Sequence, residues 1–260
     1  MDTERFQHAI ELREAGRLDE ALHELTSLRM ATTDPEEETS LLLNEARCCR
    51  LLGTLTAAKV RLSHAMRLAP RNQLWLYLWE EGAILHWHEG ERDKALEILE
   101  RVNKDYGELL LMDEHRALYE RVQSMRGMLL TDLGQYREAK GILEKSLSFN
   151  PANIDRAGVL HDLGMCFEQL RERESAREMF QTLLQETQRP ALAMTAHYKL
   201  GTIYFMGGAY AKALIEFEWC LDNALEDQYP KRNICGWLAR TAQRLGMKEK
   251  AERYDKLAKE

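Results

Sequence analysis

The chain has 260 residues, of which 45% are hydrophobic and 30% charged, and its net charge is -7. That balance supports a folded protein with much solvated helix surface, and it argues against general binding to nucleic acid or to anionic membranes, which needs a basic face. Five cysteines, an odd number without a paired framework, point to a reducing, cytoplasmic setting, and no apolar stretch approaches the roughly 20 residues of a membrane helix.

The start, MDTERFQHAI, is acidic and amphipathic. It lacks the basic and apolar regions of a secretory leader, so a helix is expected from the outset. AGRLDEAL follows, with Gly16 and Ala21 separated by four residues. In TTDPEEETS, Asp34 is expected to cap the next helix, with the glutamates after it at the positive helix end. The Gly-to-Ala pattern then returns as LGTLTAAK, EGERDKAL, LGQYREAK, GGAYAKAL and LGMKEKAE. A further copy, LRERESAR, has Arg171 where the glycine should be. The alanines are Ala21, Ala58, Ala95, Ala139, Ala176, Ala213 and Ala251, spaced by 37, 37, 44, 37, 37 and 38 residues. A period of this size is the mark of stacked supersecondary units.

Each unit predicts two antiparallel helices. Seven residues before each glycine slot stand Ala9, Ala46, Ala83, Gly127, Gly164, Gly201 and Ala239, all small, as a close helix contact requires. Four residues after the alanines come Leu25, Leu62, Leu99, Leu143, Phe180 and Phe217, the large partners on the facing helix. Glycine in its slot suits the left-handed residue that ends a helix. Pro70 and Pro151 close two of the units. The 44-residue gap exceeds the others by seven residues, close to two helical turns, and predicts longer helices around NKDYGELLLMDEHRALYERV. At the end, Asp255 replaces the bulky residue, and MKEKAERYDKLAKE reads as a solvated capping helix.

This pattern resembles the tetratricopeptide repeat over nearly the whole chain. HYKLGTIYFMGGAYAKALIEFEWCL is a close copy, with Leu200, Gly201, Tyr204, Gly208, Ala213 and Phe217 in place. The resemblance implies an all-α fold, an α-solenoid of about seven helix-turn-helix repeats with a polar C-terminal capping helix. A single array over 1–260 is expected, with units near 2–38, 39–75, 76–112, 120–156, 157–193, 194–231 and 232–260, and a bend at 107–119.

In that family the first helices line a concave groove where partner segments bind. By phase, the groove here is expected to include Arg13, Arg47, Arg50, Tyr77, Glu80, Trp87, Arg121 and Met128. Further along it takes in His161, Met165, Tyr198, Phe205 and Arg240, with Glu168 and Thr202 beside them. Arginines outnumber acids in this set, and aromatics and Arg are common binding anchors. A protein or peptide partner with acidic residues is therefore expected, and neither nucleic acid nor membrane. A clamp for chaperone C-termini is not, because Phe6 and Glu80 occupy slots where such clamps carry Lys.

No catalytic residue, cofactor or metal is expected. The cysteines fall at small or packing positions and read as buried. In HWHE, His86 and His88 are two residues apart, on different faces of a helix, so His86 reads as a packed core histidine and not a zinc ligand. The function expected is a non-enzymatic scaffold or adaptor. Self-association as a homodimer through an apolar groove is the alternative, and a small-molecule sensor or enzyme comes third.

Overall fold

The computed structural model describes residues 2–69, 74–224 and 229–259. Among them the chain forms 14 α-helices and one 3-10 turn and no strand. They pair in chain order as hairpins: α1 (Thr3–Glu14) with α2 (Leu18–Ala31), α3 (Pro35–Leu51) with α4 (Leu55–Leu68), and α5 (Leu74–His88) with α6 (Arg92–Leu110). Then come α7 (Arg116–Asp132) and α8 (Tyr136–Ser146), α9 (Arg156–Gln169) and α10 (Arg173–Glu186), α11 (Pro190–Met206) and α12 (Tyr210–Asp222), and α13 (Lys231–Arg244) and α14 (Lys248–Leu257). This is an all-α helical repeat fold of the solenoid class. Packing divides it into two compact units, Met1–Val122 and Gln123–Glu260, with the division inside α7. None of the described helices is long and apolar enough to cross a membrane.

The helix punctuation follows local chemistry. The side chain of Asp34 accepts from the Glu36 amide at 2.8 Å, and three glutamates follow in the first turn of α3. Gly16, Gly53, Gly90, Gly134, Gly208 and Gly246 all take left-handed φ between 75° and 79°. At each such turn the next amide reaches back to close the helix, as when Arg17 N donates to Leu12 O at 2.9 Å. Pro151 lies in the turn after α8, and Pro70 falls outside the described residues.

The small slots carry the hairpin packing. A Cβ placed on Gly127 would lie 2.6 Å from Leu143, one on Gly164 2.8 Å from Phe180, and one on Gly201 2.7 Å from Phe217. Ala9, Ala46 and Ala83 are fully buried at the same slot. In the first unit the core runs through Leu25, Leu28, Leu41, Leu62, Leu78 and Leu85. In the second it runs through Met194, Phe217, Cys220, Ile234 and Leu238. All five cysteines are free thiols within these interiors. On α14 only Tyr254 is buried, so its remaining surface is solvated, as a capping helix requires.

The long inter-repeat gap is spanned by a lengthened α6, a break in its geometry and a short turn. At 19 residues α6 is the longest of the described helices, but Tyr106 leaves helical geometry (φ -128°, ψ 15°) beside Gly107. The helix ends at Leu110, and a 3-10 turn (Asp113–His115) precedes α7. A Cβ on Gly107 would touch nothing within 4 Å, so close packing does not require glycine there, and its backbone freedom sits beside the break. The seven residues are taken up by a longer helix, a kink and a turn.

Candidate functional site

In the first unit, the first helices of consecutive hairpins carry a network of charges. Arg13 on α1 donates to the Asn44 side-chain oxygen on α3 at 2.6 Å. Burial, with Arg47 nearby, holds the Arg13 guanidinium below its ordinary pKa. From α3, Arg50 reaches Glu81 at 2.5 Å, and Arg47 lies 3.7 Å from Glu80 and 3.6 Å from Glu81. Arg121 on α7 grips Glu80 with two nitrogens, at 2.5 and 3.1 Å. The two carboxylates are 3% and 1% exposed. A third buried carboxylate, Glu45 on α3, is bracketed by Arg29 of α2 at 2.7 Å and Arg61 of α4 at 2.8 Å.

These pairs engage Arg47, Arg50 and Arg121 of the expected groove set within the chain. Glu80 is buried rather than groove-lining, and Arg47, Arg50 and Arg121 are compensated within the chain. Glu81, absent from the expected set, is the second half of that compensation. Its signal was legible: two adjacent acids inside the apolar run LWLYLWEEGAIL must find cationic partners once the helix is buried. Tyr77 packs against the core around Leu78, and Trp87 is half-buried.

His86 also departs from expectation. It is partly exposed, and its Nδ1 lies 2.6 Å from a Glu91 carboxylate oxygen across the turn made by Gly90. Glu89 joins them, so one ligand atom from each of the three lies within 4.8 Å of the others. Lys59 and Lys94 already pair with Glu89 and Glu91. A shallow cavity of about 320 Å³ between α5 and α6 is lined by Trp75, Trp79, Asp105 and Tyr106. Arg101 of the same hairpin sits over the Trp79 ring at 5.6 Å and pairs with Asp105 at 3.4 Å.

The second unit is built differently. Met128 is 8% exposed and belongs to the interior, another correction to the expected groove set, whereas Met165 is half-buried. His161 pairs with its neighbour Asp162 at 2.6 Å; burial pushes the Asp162 carboxyl up and this hydrogen bond opposes it. Tyr198 and Phe205 on α11 join an aromatic cluster. Tyr198 stacks on Tyr229 with ring centres 4.3 Å apart, and Phe205 meets the Trp237 ring edge-on at 5.3 Å. The Trp237 indole donates to the Tyr198 hydroxyl at 2.9 Å. Arg240 is exposed and lies over the Trp237 ring at 5.2 Å.

Beside that cluster is an open cavity of about 430 Å³. It gathers Glu168, Tyr198 and Thr202 from the expected groove with Arg171, Arg173, Lys199, Ile203, Met206 and Trp237. Lys199 pairs with Glu168 at 2.6 Å, and Met206 is 61% exposed. The added residues escaped sequence reasoning because Lys199 and Trp237 occupy one equivalent slot, two residues before the small position, that phase alone did not assign to the groove. Arg171 was visible only as a break in the glycine motif.

Tetratricopeptide repeat family profiles match residues 120–153, over α7 and α8, and 161–218, over α9 to α12. The chain is a tetratricopeptide repeat protein. Solved structures with a similar fold include a tetratricopeptide repeat protein from Parabacteroides merdae, 20% identical, covering 99% of this chain and 91% of that one at a TM-score of 0.58. PilF from Pseudomonas aeruginosa is 18% identical, over 85% of this chain and 90% of its own, at 0.63. MamA of AMB-1 is 19% identical, over 72% and 92%, at 0.57. At these identities the likeness concerns the fold. No curated protein matches the chain in sequence.

Proposed function

We propose that this chain is a protein-interaction scaffold that receives a partner peptide or helix along the first helices of its second unit. The observation that carries the reading is the 430 Å³ cavity on α9, α11 and α13, where an apolar wall of Tyr198, Ile203, Met206 and Trp237 stands beside charged groups. Apolar anchors there supply affinity and the charged rim supplies orientation, as in other helix-groove recognition. Tetratricopeptide arrays in general mediate contacts between proteins, which supports the reading. Five buried free thiols fit a reducing, cytoplasmic compartment.

Selection of peptides from a random twelve-residue display library on the full chain tests the reading. Peptides recovered on the wild type should lose binding to Thr202→Arg, which fills the cavity from a half-exposed position and leaves the melting temperature unchanged. Retention of those peptides by the variant rejects the groove.

A further inference from the structure

We infer that this cavity, taken as the binding site proposed above, selects an acidic segment of its partner, and that Arg171 is kept in a strained backbone conformation to do so. Arg171 has φ 64°, and it is the one non-glycine residue with positive φ among the described residues. Six of the seven repeat turns use glycine at this slot, with φ of 75° to 79°. The turn itself is the same: Arg171 N donates to Glu168 O at 3.0 Å and Glu172 N to Phe167 O at 2.8 Å. An L side chain in this region is disfavoured because its Cβ crowds the following carbonyl, and such strain persists where function requires it.

No side-chain contact of Arg171 among the described residues offsets that strain. The Arg171 side chain is exposed and makes no hydrogen bond or ion pair among the described residues, and the same is true of Arg173, two residues on. Both line the cavity. The third cation there, Lys199, is neutralised by Glu168 at 2.6 Å. The rim therefore carries two uncompensated guanidinium groups in a chain whose net charge is -7. In the first unit Arg47, Arg50 and Arg121 are consumed by Glu80 and Glu81; Arg171 and Arg173 have no such carboxylate among the described residues. Guanidinium groups take carboxylates in paired hydrogen bonds. The adjoining wall of Ile203, Met206 and Trp237 takes an apolar side chain. The complementary occupant is a partner peptide in which Asp or Glu residues flank a large aliphatic or aromatic one.

Fluorescence polarisation with two labelled twelve-residue peptide pools tests this. One pool alternates Asp or Glu with Leu, Ile, Phe or Met; the control pool replaces the acids by Asn or Gln. The wild type should bind the acidic pool at least about tenfold more tightly than the control, and raised salt should weaken that binding. Arg171→Gly should lose about tenfold or more in affinity for the acidic pool. The same substitution relieves the backbone strain, so its melting temperature should rise by about 2–4 °C, which separates lost binding from lost folding. Arg173→Ser should show a similar loss. Unchanged affinity in Arg171→Gly, or equal binding of the two pools, overturns the inference. If both pools bind equally and Thr202→Arg abolishes both, the groove stands and only its acidic selectivity falls. Failure of the wild type to bind the acidic pool also overturns the selectivity, while the peptides selected by display still judge the groove.

Discussion

The ring of Phe180 occupies the space that a side chain at Gly164 would need: a Cβ there would lie 2.8 Å from the Phe180 ring. Gly164→Ala should therefore destabilise the protein by about 2 kcal/mol through overpacking, although alanine is the better helix former. Gly141 provides the internal control. It sits on the exposed face of α8 with nothing within 4 Å of a Cβ, so Gly141→Ala should stabilise by about 0.5–1 kcal/mol. Thermal or urea unfolding of the two variants should move in opposite directions, and movement in the same direction would falsify the close-contact account of the small slot.

Charge removal should divide by burial. Glu81 is 1% exposed, and without Arg50 it retains only the longer contact to Arg47 at 3.6 Å. Arg50→Ala is expected to cost about 3 kcal/mol, the range found when one partner of a buried pair is lost. Arg17 and Glu20 form an exposed pair at the start of α2, and Arg17→Ala should leave the urea midpoint where it was. A large effect at Arg17, or none at Arg50, contradicts this division.

One carboxyl gives a defined pH dependence. The hydrogen bond from Lys94, together with His86, holds the Glu91 carboxyl down to about 2, against an ordinary 4.5. A depressed carboxyl contributes stability that is present above its ordinary value and is lost as pH falls through the folded one. Its contribution should therefore disappear between pH 4.5 and 2. In a side-chain NMR titration Glu91 should show a midpoint near 2 that returns toward 4.5 in Lys94→Gln. A wild-type midpoint near 4.5 would mean the contacts do not persist in solution.

The thiols should be inert in the folded protein. Burial pushes the Cys48 thiol up to about 11 and that of Cys220 up to about 12, so neither forms thiolate at pH 8. All five cysteines should be silent toward a disulfide reagent at that pH and should react once the chain is unfolded. Prompt labelling of Cys220 in the native state would place it outside the core.

The parts of the fold that were legible in the sequence are those where local sterics restrict residue type. A left-handed helix end selects glycine, and a close helix contact selects Ala or Gly, so both recur in register with Gly53 and Ala46 or Gly208 and Gly201. The exact place of the kink, Tyr106, was not legible, because a seven-residue excess points to a stretch, 107–119, and not to a residue. The electrostatic pairing was harder still. Partners of Glu80 come from Arg47 and Arg121, on different helices far along the chain, and neighbouring residues carry no trace of that pairing. The cavity was partly read: phase placed Tyr198 and Thr202 on one face, but only the packed α11 and α13 bring Trp237 to them.

The buried carboxylates of the first unit make its hairpins non-interchangeable. A purely apolar stack would tolerate reordering or duplication of its members, since each would present the same greasy face to the next. Glu45 needs Arg29 from the hairpin before and Arg61 from its own, and Glu81 needs Arg50 from the hairpin before. Shuffling any one of them strands an anion in a dry interface. The charges thus act as an address, fixing which hairpin follows which along an array whose shape-based contacts are nearly identical.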